Sequence, residues 1–523
     1  MTFSSNKALR CRGETPTCPN EAPPKETPAT ASGAQTPEAE ASTPRSEHWS
    51  LAFGVALLFL FAAAYVHQPP AQCPTALSRL DLLHALARGK VNIDTWQYNT
   101  PDKAEHKGHF YSDKAPGTAA LALPAFTAGA IALRAAGVAL DSDVGWLFSS
   151  WIACVGSIGI VAAVGASMLF TWLSKWAGPK CSLVATLAVF LGAAPLPYST
   201  MMFSHAMVVG FVALALWATR TQRESGVRSA GCPLKDWFRA NRWSLVAGFA
   251  SGWALASEYT AGLVVIAIFF WLVLPRWRWA FPFCLAALPP LLLIPLYSLA
   301  CFKSPFVLPY SLNASFPEMK EGLYAIKWPS LETAYNLLFS PTRGLFFWTP
   351  FLLIAAPGYW ELIRTNRPAF WLTYGVPLLQ IIVISGRTWD WPAGPTLGPR
   401  YLAPLLPLLA LPCALGVQRF PRVGMVLGAA SILLTTLATL TNAAPPFSYY
   451  NPLTELHIPL LLKGELAPNL GTVCGLPPWL SVVVYYAILC GGIWWLWRRL
   501  PPEPPAAAGA SDRGAETCMS HAT

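Results

Sequence analysis

The sequence is punctuated by apolar runs long enough to cross a hydrocarbon layer, and that repetition decides what the chain can become. Thirteen are readable, at 49–66, 116–137, 144–172, 181–198, 203–219, 243–257, 259–275, 279–300, 345–361, 369–385, 401–417, 423–441 and 479–497. A helix of roughly 20 apolar residues spans a bilayer core of about 30 Å. Lipid offers no hydrogen bonds, so each run satisfies its own backbone by becoming a helix. Of the 523 residues, 54% are hydrophobic and only 12% are charged, about half the charge of a soluble domain. The sequence therefore predicts an all-α integral membrane protein, a multi-pass helical bundle of about 12–13 transmembrane segments.

The two ends differ from this body. Residues 1–48 are rich in Pro, Thr, Ala, Ser and Glu, with too little apolar surface to fold, and 500–523 read the same way. Both are expected to be disordered, flanking a membrane domain at 49–499. The first apolar run follows a long polar leader, so it reads as an anchor and not a cleaved signal. The twelve cysteines have no metal-ligand spacing. Cys73, Cys301 and Cys474 fall in loops placed outside, where one disulfide could form.

Positive charge sorts the connections. Loop 219–242 carries Arg220, Arg223, Arg228, Lys235, Arg239 and Arg242. Lys175 with Lys180, Arg276 with Arg278, Arg364 with Arg367, and Arg419 with Arg422 occupy other connections, and Arg498 and Arg499 follow the last run. Alternating backward from Arg498 places all of them inside. This dispersed basic charge, net +10, reports orientation and points to no nucleic acid. The turn 197–205, the turn at Glu258, and loops 301–344, 386–400 and 442–478 then share the outer side. The first outer loop, 67–115, joins them only if 116–137 makes no net crossing. Pro124, Gly129 and Arg134 suit an irregular or re-entrant segment buried against protein. The expectation is twelve crossings plus this segment, with both termini cytoplasmic in a bacterial inner membrane.

The polar stretch 91–117, VNIDTWQYNTPDKAEHKGHFYSDKAPG, gathers Asp94, Asp102, Glu105, Asp113, Lys103, Lys107, Lys114, His106, His109, Tyr98 and Tyr111. The other outer elements contribute His205, Glu258, Arg343, Asp390 and Arg400. Ionisable groups at a membrane edge are costly, which makes each a functional candidate. Plainer roles compete. Arg343 and Arg400 could anchor helix ends, His205 could be a satisfied helix-end residue, Glu258 could pair inside the bundle, and Asp390 could cap a turn. Asn313-Ala-Ser is a formal glycosylation sequon.

Together these groups suit transfer from a lipid-linked phosphosugar. The donor phosphate needs fixed cations, and Lys114, Arg343 and Arg400 are of the right type. An acceptor hydroxyl needs a carboxylate base, for which Asp94, Asp102 and Asp113 are available. His109, Tyr111, His205, Glu258 and Asp390 are further site candidates.

GHFYSDKAPGTAALALPAF resembles the first-loop signature of multi-pass GT-C glycosyltransferases, which include protein O-mannosyltransferases and aminoarabinose transferases. Tyr111, Asp113, Lys114 and Pro116 stand at its aromatic-acid-Lys-x-Pro positions. PLPYSTMMFSH, LLFSPTRGLFFWTP and LGPRYLAPLLPLLALP look like the bacterial branch of that superfamily, and the shared order covers about residues 76–480. The resemblance implies a GT-C fold, a polyprenyl-phosphate sugar donor, a lipid, glycan or protein acceptor, and a phosphate-binding role for Lys114. It implies no redox cofactor. Some relatives use a divalent metal, but no ligand set is visible here. The sequence departs from the pattern where many relatives carry an Asp-Glu pair. Ala76 and Leu77 stand there, followed by Ser78 and Arg79, with Asp81 shifted. His205 stands near the position of a second acid. Asp94 first and Asp102 second are then the expected bases, since both precede Lys114 in one loop. Two alternatives remain open: a transporter or lipid flippase, and a non-catalytic membrane subunit with this fold.

Overall fold

The computed structural model describes residues 45–69, 73–225, 234–320 and 325–501. The expected disordered leader and tail fall almost wholly outside these residues, as does Arg228. The first helix, α1 (Arg45–Tyr65), begins one turn before the apolar run.

The chain is helical almost throughout. After α1 come α2 (Pro74–Leu86), a hairpin of β1 (Lys103–His106) and β2 (His109–Ser112), and α3 (Gly117–Ala135). Next, α4 (Asp143–Ala153) passes through a π-helical turn, Cys154–Gly159, into α5 (Ile160–Leu191). Then follow α6 (Pro195–Ser199), α7 (Ser204–Glu224), α8 (Leu234–Ser257), α9 (Gly262–Val273) and α10 (Ala280–Phe302). The third quarter holds α11 (Leu331–Phe339), α12 (Leu345–Trp348), α13 (Ala355–Thr365), α14 (Arg367–Phe370) and α15 (Val376–Ser385). The chain ends with α16 (Leu406–Arg419), α17 (Pro421–Thr441), α18 (Ile458–Lys463), α19 (Leu470–Val473) and α20 (Pro478–Arg498).

Among the described residues, eight helices are long and apolar enough to cross a membrane, so this is a multi-pass integral membrane protein. The difference from thirteen apolar runs has physical causes. Runs 203–219 and 243–257 lie in α7 and α8, whose ends carry Arg220, Arg223, Lys235, Asp236 and Arg239. Run 259–275 forms a shorter helix, Tyr259–Val273. Run 345–361 is broken into α12, a 3₁₀ turn that begins at Pro350, and α13. Runs 144–172 and 181–198 join in one 49-residue helical stretch, Asp143–Leu191. At about 1.5 Å per residue that stretch would be roughly twice the thickness of a bilayer core. Gly178 breaks it with φ 73° and ψ 165°, just before Pro179, a conformation glycine adopts without steric cost.

The helix α3 connects the first loop to α4. Its length and composition would let it cross, and contacts tie both of its ends to neighbouring helices. Gly117 packs on the Ala256–Ser257 backbone at the end of α8. Beyond its other end, Asp141 pairs with Arg88 just after α2, at 2.8 Å. Ser150 in α4 then meets His67, just past α1, at 2.7 Å, while His48 near the start of α1 stacks on Phe170 of α5. Thus α1 and the α4–α5 rod run antiparallel, and the segment after α3 is tied to the end of α2.

Cys73, Cys301 and Cys474 are all free thiols, so the disulfide entertained from sequence is not formed. Large apolar side chains on the outside of the spans, such as Phe270, Phe281, Leu292 and Val426, are exposed. In a membrane protein that surface meets lipid.

Candidate functional site

The hairpin builds the centre of the site. Lys107 and Gly108 at its tip take positive φ, 52° and 78°, the geometry of a two-residue turn whose twist matches the strands. Its register pairs Lys103 with Ser112, so the next residue outward on each strand, Asp102 and Asp113, falls at the open end. Both carboxylates are buried there, as is Lys114. Lys114 Nζ lies 2.9 Å from Asp102 Oδ2 and 3.0 Å from Asp113 Oδ1. The Tyr310 ring sits 5.4 Å from the ammonium.

Three further segments close on this centre. The Thr75 hydroxyl, at the start of α2, donates to Asp102 Oδ2 at 2.6 Å and accepts from Arg400 Nη1 at 3.2 Å. Asn313 Nδ2 donates to Asp113 Oδ2 at 2.9 Å. The Ala314 backbone N–H meets the Lys103 carbonyl at 2.9 Å, which adds loop 301–344 to the edge of β1. Arg400 also donates to the Tyr401 hydroxyl, which donates to Asp390; Arg387 donates to the same carboxylate at 3.0 Å. One continuous polar chain therefore links Arg387, Asp390, Tyr401, Arg400, Thr75, Asp102, Lys114, Asp113 and Asn313.

The electrostatics separate the two acids. Burial works to raise Asp102, but Lys114, the Thr75 hydrogen bond and Arg400 outweigh it and hold that carboxyl below its ordinary range. At Asp113 burial prevails over Lys114, with the charge of Asp102 adding to it, and the carboxyl is pushed up. Burial opposes the Lys114 ammonium, yet the two acids outweigh it and push its pKa above that of a free lysine.

A second buried cluster adjoins the first across Phe203. Arg79 Nη2 donates to Ser204 Oγ at 2.9 Å, and Ser204 donates to Glu258 Oε2 at 3.0 Å. His205 Nε2 lies 3.6 Å from the same Glu258 oxygen. The guanidinium carbons of Arg79 and Arg400 stand 5.9 and 5.5 Å from the Phe203 ring centroid.

The structure thus joins Asp102, Asp113, Lys114, Arg400 and Asp390, and places His205 and Glu258 in the adjoining cluster. It does not bring Asp94 there. Asp94 bonds His109 Nδ1 and the Phe110 backbone N–H, each at 2.7 Å, and so pins the flank of the hairpin. Tyr111 is buried against Phe302. Arg343 is also apart: it donates to the Pro445 and Thr342 carbonyls. Ala76 and Leu77 are buried apolar residues of α2. Sequence reasoning missed Thr75, Tyr310 and Tyr401 altogether. Arg79 was legible as a lone cation inside an apolar helical run, and Asn313 was noticed only as a sequon.

Among the described residues no group of three or more His, Cys, Asp or Glu side chains could hold a metal ion. Asp102 and Asp113, the carboxylates that do converge, share Lys114 instead. These residues do not fit a divalent metal, and no step below uses one.

No protein-family model matches the sequence, and no curated protein does. Among solved structures, the fold is similar to the crystal structure of ArnT from Cupriavidus metallidurans bound to undecaprenyl phosphate. That similarity has 17% identity and a TM-score of 0.44, and covers 87% of this chain and 77% of that one. The apo state of the same protein gives 16% identity and a TM-score of 0.42 over the same shares.

Proposed function

We propose that this protein is a membrane glycosyltransferase that moves a sugar from a polyprenyl-phosphate donor to an acceptor hydroxyl at the outer face of a bacterial inner membrane. The observation that carries the reading is the buried Asp102–Lys114–Asp113 arrangement, with Arg400 one hydroxyl away through Thr75. It agrees with the motif resemblance at Tyr111, Asp113, Lys114 and Pro116.

In the proposed reaction the acceptor oxygen attacks the anomeric carbon, and the bond from that carbon to the phosphate oxygen breaks. The acceptor proton passes to Asp102, the carboxylate held ionised. The polyprenyl phosphate leaves with the bonding electrons. Lys114 and Arg400 stabilise its charge in a dry site, where fixed cations act most strongly. Asp113 and Asn313 hold Lys114 in place. Asp94, on the flank of the hairpin, takes a positioning role for His109 and Phe110.

The test is release of polyprenyl phosphate from polyprenyl-phosphate sugars by the purified protein in lipid nanodiscs, with Asp102→Asn as the control. Turnover in the parent that the variant lacks supports the reading. Turnover that survives Asp102→Asn removes Asp102 as the base. A second reading, a non-catalytic subunit of the same fold, draws on the apolar Ala76 and Leu77. It predicts no turnover with any donor and a stable complex with a partner enzyme.

A further inference from the structure

We propose that a cleft between the ends of α13 and α16, remote from the polar chain, binds the headgroup of an anionic phospholipid. This inference stands independently of the transferase reading.

The cleft follows from how the two helices meet. A Cβ at Gly358 would collide with the Pro412 carbonyl oxygen, and one at Gly416 with the Ile354 carbonyl oxygen. The helices therefore touch backbone to backbone at one level. Beyond it they part and leave an open cleft of about 460 Å³ lined by Pro357, Trp360, Glu361, Arg364, Thr365, Arg419 and Phe420. At about 30 Å³ per water, that is room for a phosphoglycerol headgroup with some of its hydration.

The lining has the chemistry of a phosphodiester site. Among the described residues neither Arg364 nor Arg419 has an ion-pair partner, and Glu361 pairs with neither. The two arginines therefore leave net positive charge beside the single carboxylate, and Arg367 and Arg422 follow three residues after each. The Arg364 guanidinium lies 4.0 Å from the Trp360 ring centroid, and that of Arg419 lies 5.7 Å from Phe420. Those rings are exposed, and so are Ile363 of α13 and Val423 in the first turn of α17. Tryptophan and arginine side by side at the end of a span mark the headgroup level. An apolar rim of this kind serves acyl chains and has no use for a free phosphate ion. Basic pockets between spans take anionic headgroups for the same reason.

Native mass spectrometry of the detergent-purified protein tests this, with phosphatidylglycerol, phosphatidylcholine and inorganic phosphate as probes. Phosphatidylglycerol should be retained in preference to phosphatidylcholine. The Arg364→Gln/Arg419→Gln pair should bind it on the order of 30-fold more weakly, from two surface cations, while Glu361→Gln should bind it more tightly. Equal retention of both lipids, or unchanged retention in the double variant, overturns the proposal. So does displacement by inorganic phosphate at matched concentration, which would make the cleft a site for a soluble anion. If the double variant unfolds, Glu361→Gln decides alone, and unchanged retention there overturns the proposal.

Discussion

Asp102 and Asp113 flank the open end of one hairpin, and a single ammonium, Lys114 Nζ, lies within 3.0 Å of an oxygen of each. The lysine is what allows two carboxylates to be buried side by side. Removing one partner of a buried ionic group costs about 3–5 kcal/mol, because the charge left behind stays desolvated. Lys114→Met should therefore lower the thermal midpoint markedly and abolish turnover. The triple variant Asp102→Asn/Asp113→Asn/Lys114→Met should regain most of the stability and none of the turnover. Thermal unfolding in detergent reads the first effect and donor turnover the second. A Lys114→Met protein as stable as the parent would mean that the ionic trio does not form.

Thr75 is the smallest residue of the polar chain and one of its tightest links. Its hydroxyl gives a proton to Asp102 and receives one from Arg400. Thr75→Val keeps the shape and removes both bonds, leaving a buried carboxylate and a buried guanidinium each short of a partner. A loss of about 1–3 kcal/mol follows, with a fall in turnover of roughly tenfold or more. Thr75→Ser should restore both. If valine and serine behave alike in turnover and stability, the hydroxyl plays no part in aligning Arg400.

Asp81 offers a pH-dependent measurement outside the proposed chemistry. It is fully buried in α2, with Asn99 Nδ2 donating to Oδ1 at 3.1 Å and no partner for Oδ2. Burial pushes its carboxyl up to about 7, against the opposing effects of Asn99 and Lys103. The folded state therefore holds the proton more tightly than the unfolded chain does. Its stability contribution is intact below the unfolded value near 4 and is lost as pH rises through about 7. Asp81→Asn should leave the thermal midpoint almost unchanged at pH 4 and raise it at pH 8, where the gain in stability is on the order of 4 kcal/mol. Parallel pH–stability curves for parent and variant would show Asp81 to be ionised without cost.

Asn313 tests how the loops are latched. Its amide nitrogen bonds Asp113, and its oxygen accepts from the Ser315 and Phe316 backbone. Asn313→Ala removes a donor to a buried carboxylate, a loss of about 1.5–3 kcal/mol, and should expose the segment around residue 313 to limited proteolysis. Asn313→Asp should be worse, since it sets a third acid against Asp113.

The membrane character and the helical runs were legible in the sequence because apolar length is a one-dimensional property. The gathering of charge around Lys114 was legible too, through its density in the polar stretch. The ranking of its acids was not legible. Asp94 and Asp102 both precede Lys114, and linear spacing does not choose between them. The register of a four-residue ladder does, since it turns Asp102 toward Asp113 and leaves Asp94 to His109. The roles of Thr75 and Asn313 were invisible for a related reason: each acts through hydrogen bonds to residues distant in sequence. Arg343 and Arg400 look alike at the lips of spans, yet only Arg400 reaches the site, because Thr75 stands within reach of it.

The path of α3 gives the prediction on which the outer-face reading depends. If α3 makes no net crossing, residues before and after it lie on one side. Tyr98, in the first loop, is 89% exposed, and the Asp141 side chain, beyond α3, is 58% exposed. Asp236 is exposed at the start of α8, in the basic connection assigned to the inside. Single cysteines at these three positions, in a cysteine-free background, would be treated in intact cells with an impermeant thiol reagent. Positions 98 and 141 should label, and 236 should label only after lysis. The Arg88–Asp141 pair supports this outcome, because it ties the far end of α3 to α2. Labelling at 98 with protection at 141 would mean that α3 crosses, and the antiparallel pairing of α1 with the α4–α5 rod would fall with it. Protection at both positions, with labelling at 236, would invert the molecule. The polar chain of Lys114 and Arg400 would then face the cytoplasm, and an outer-face acceptor would be excluded.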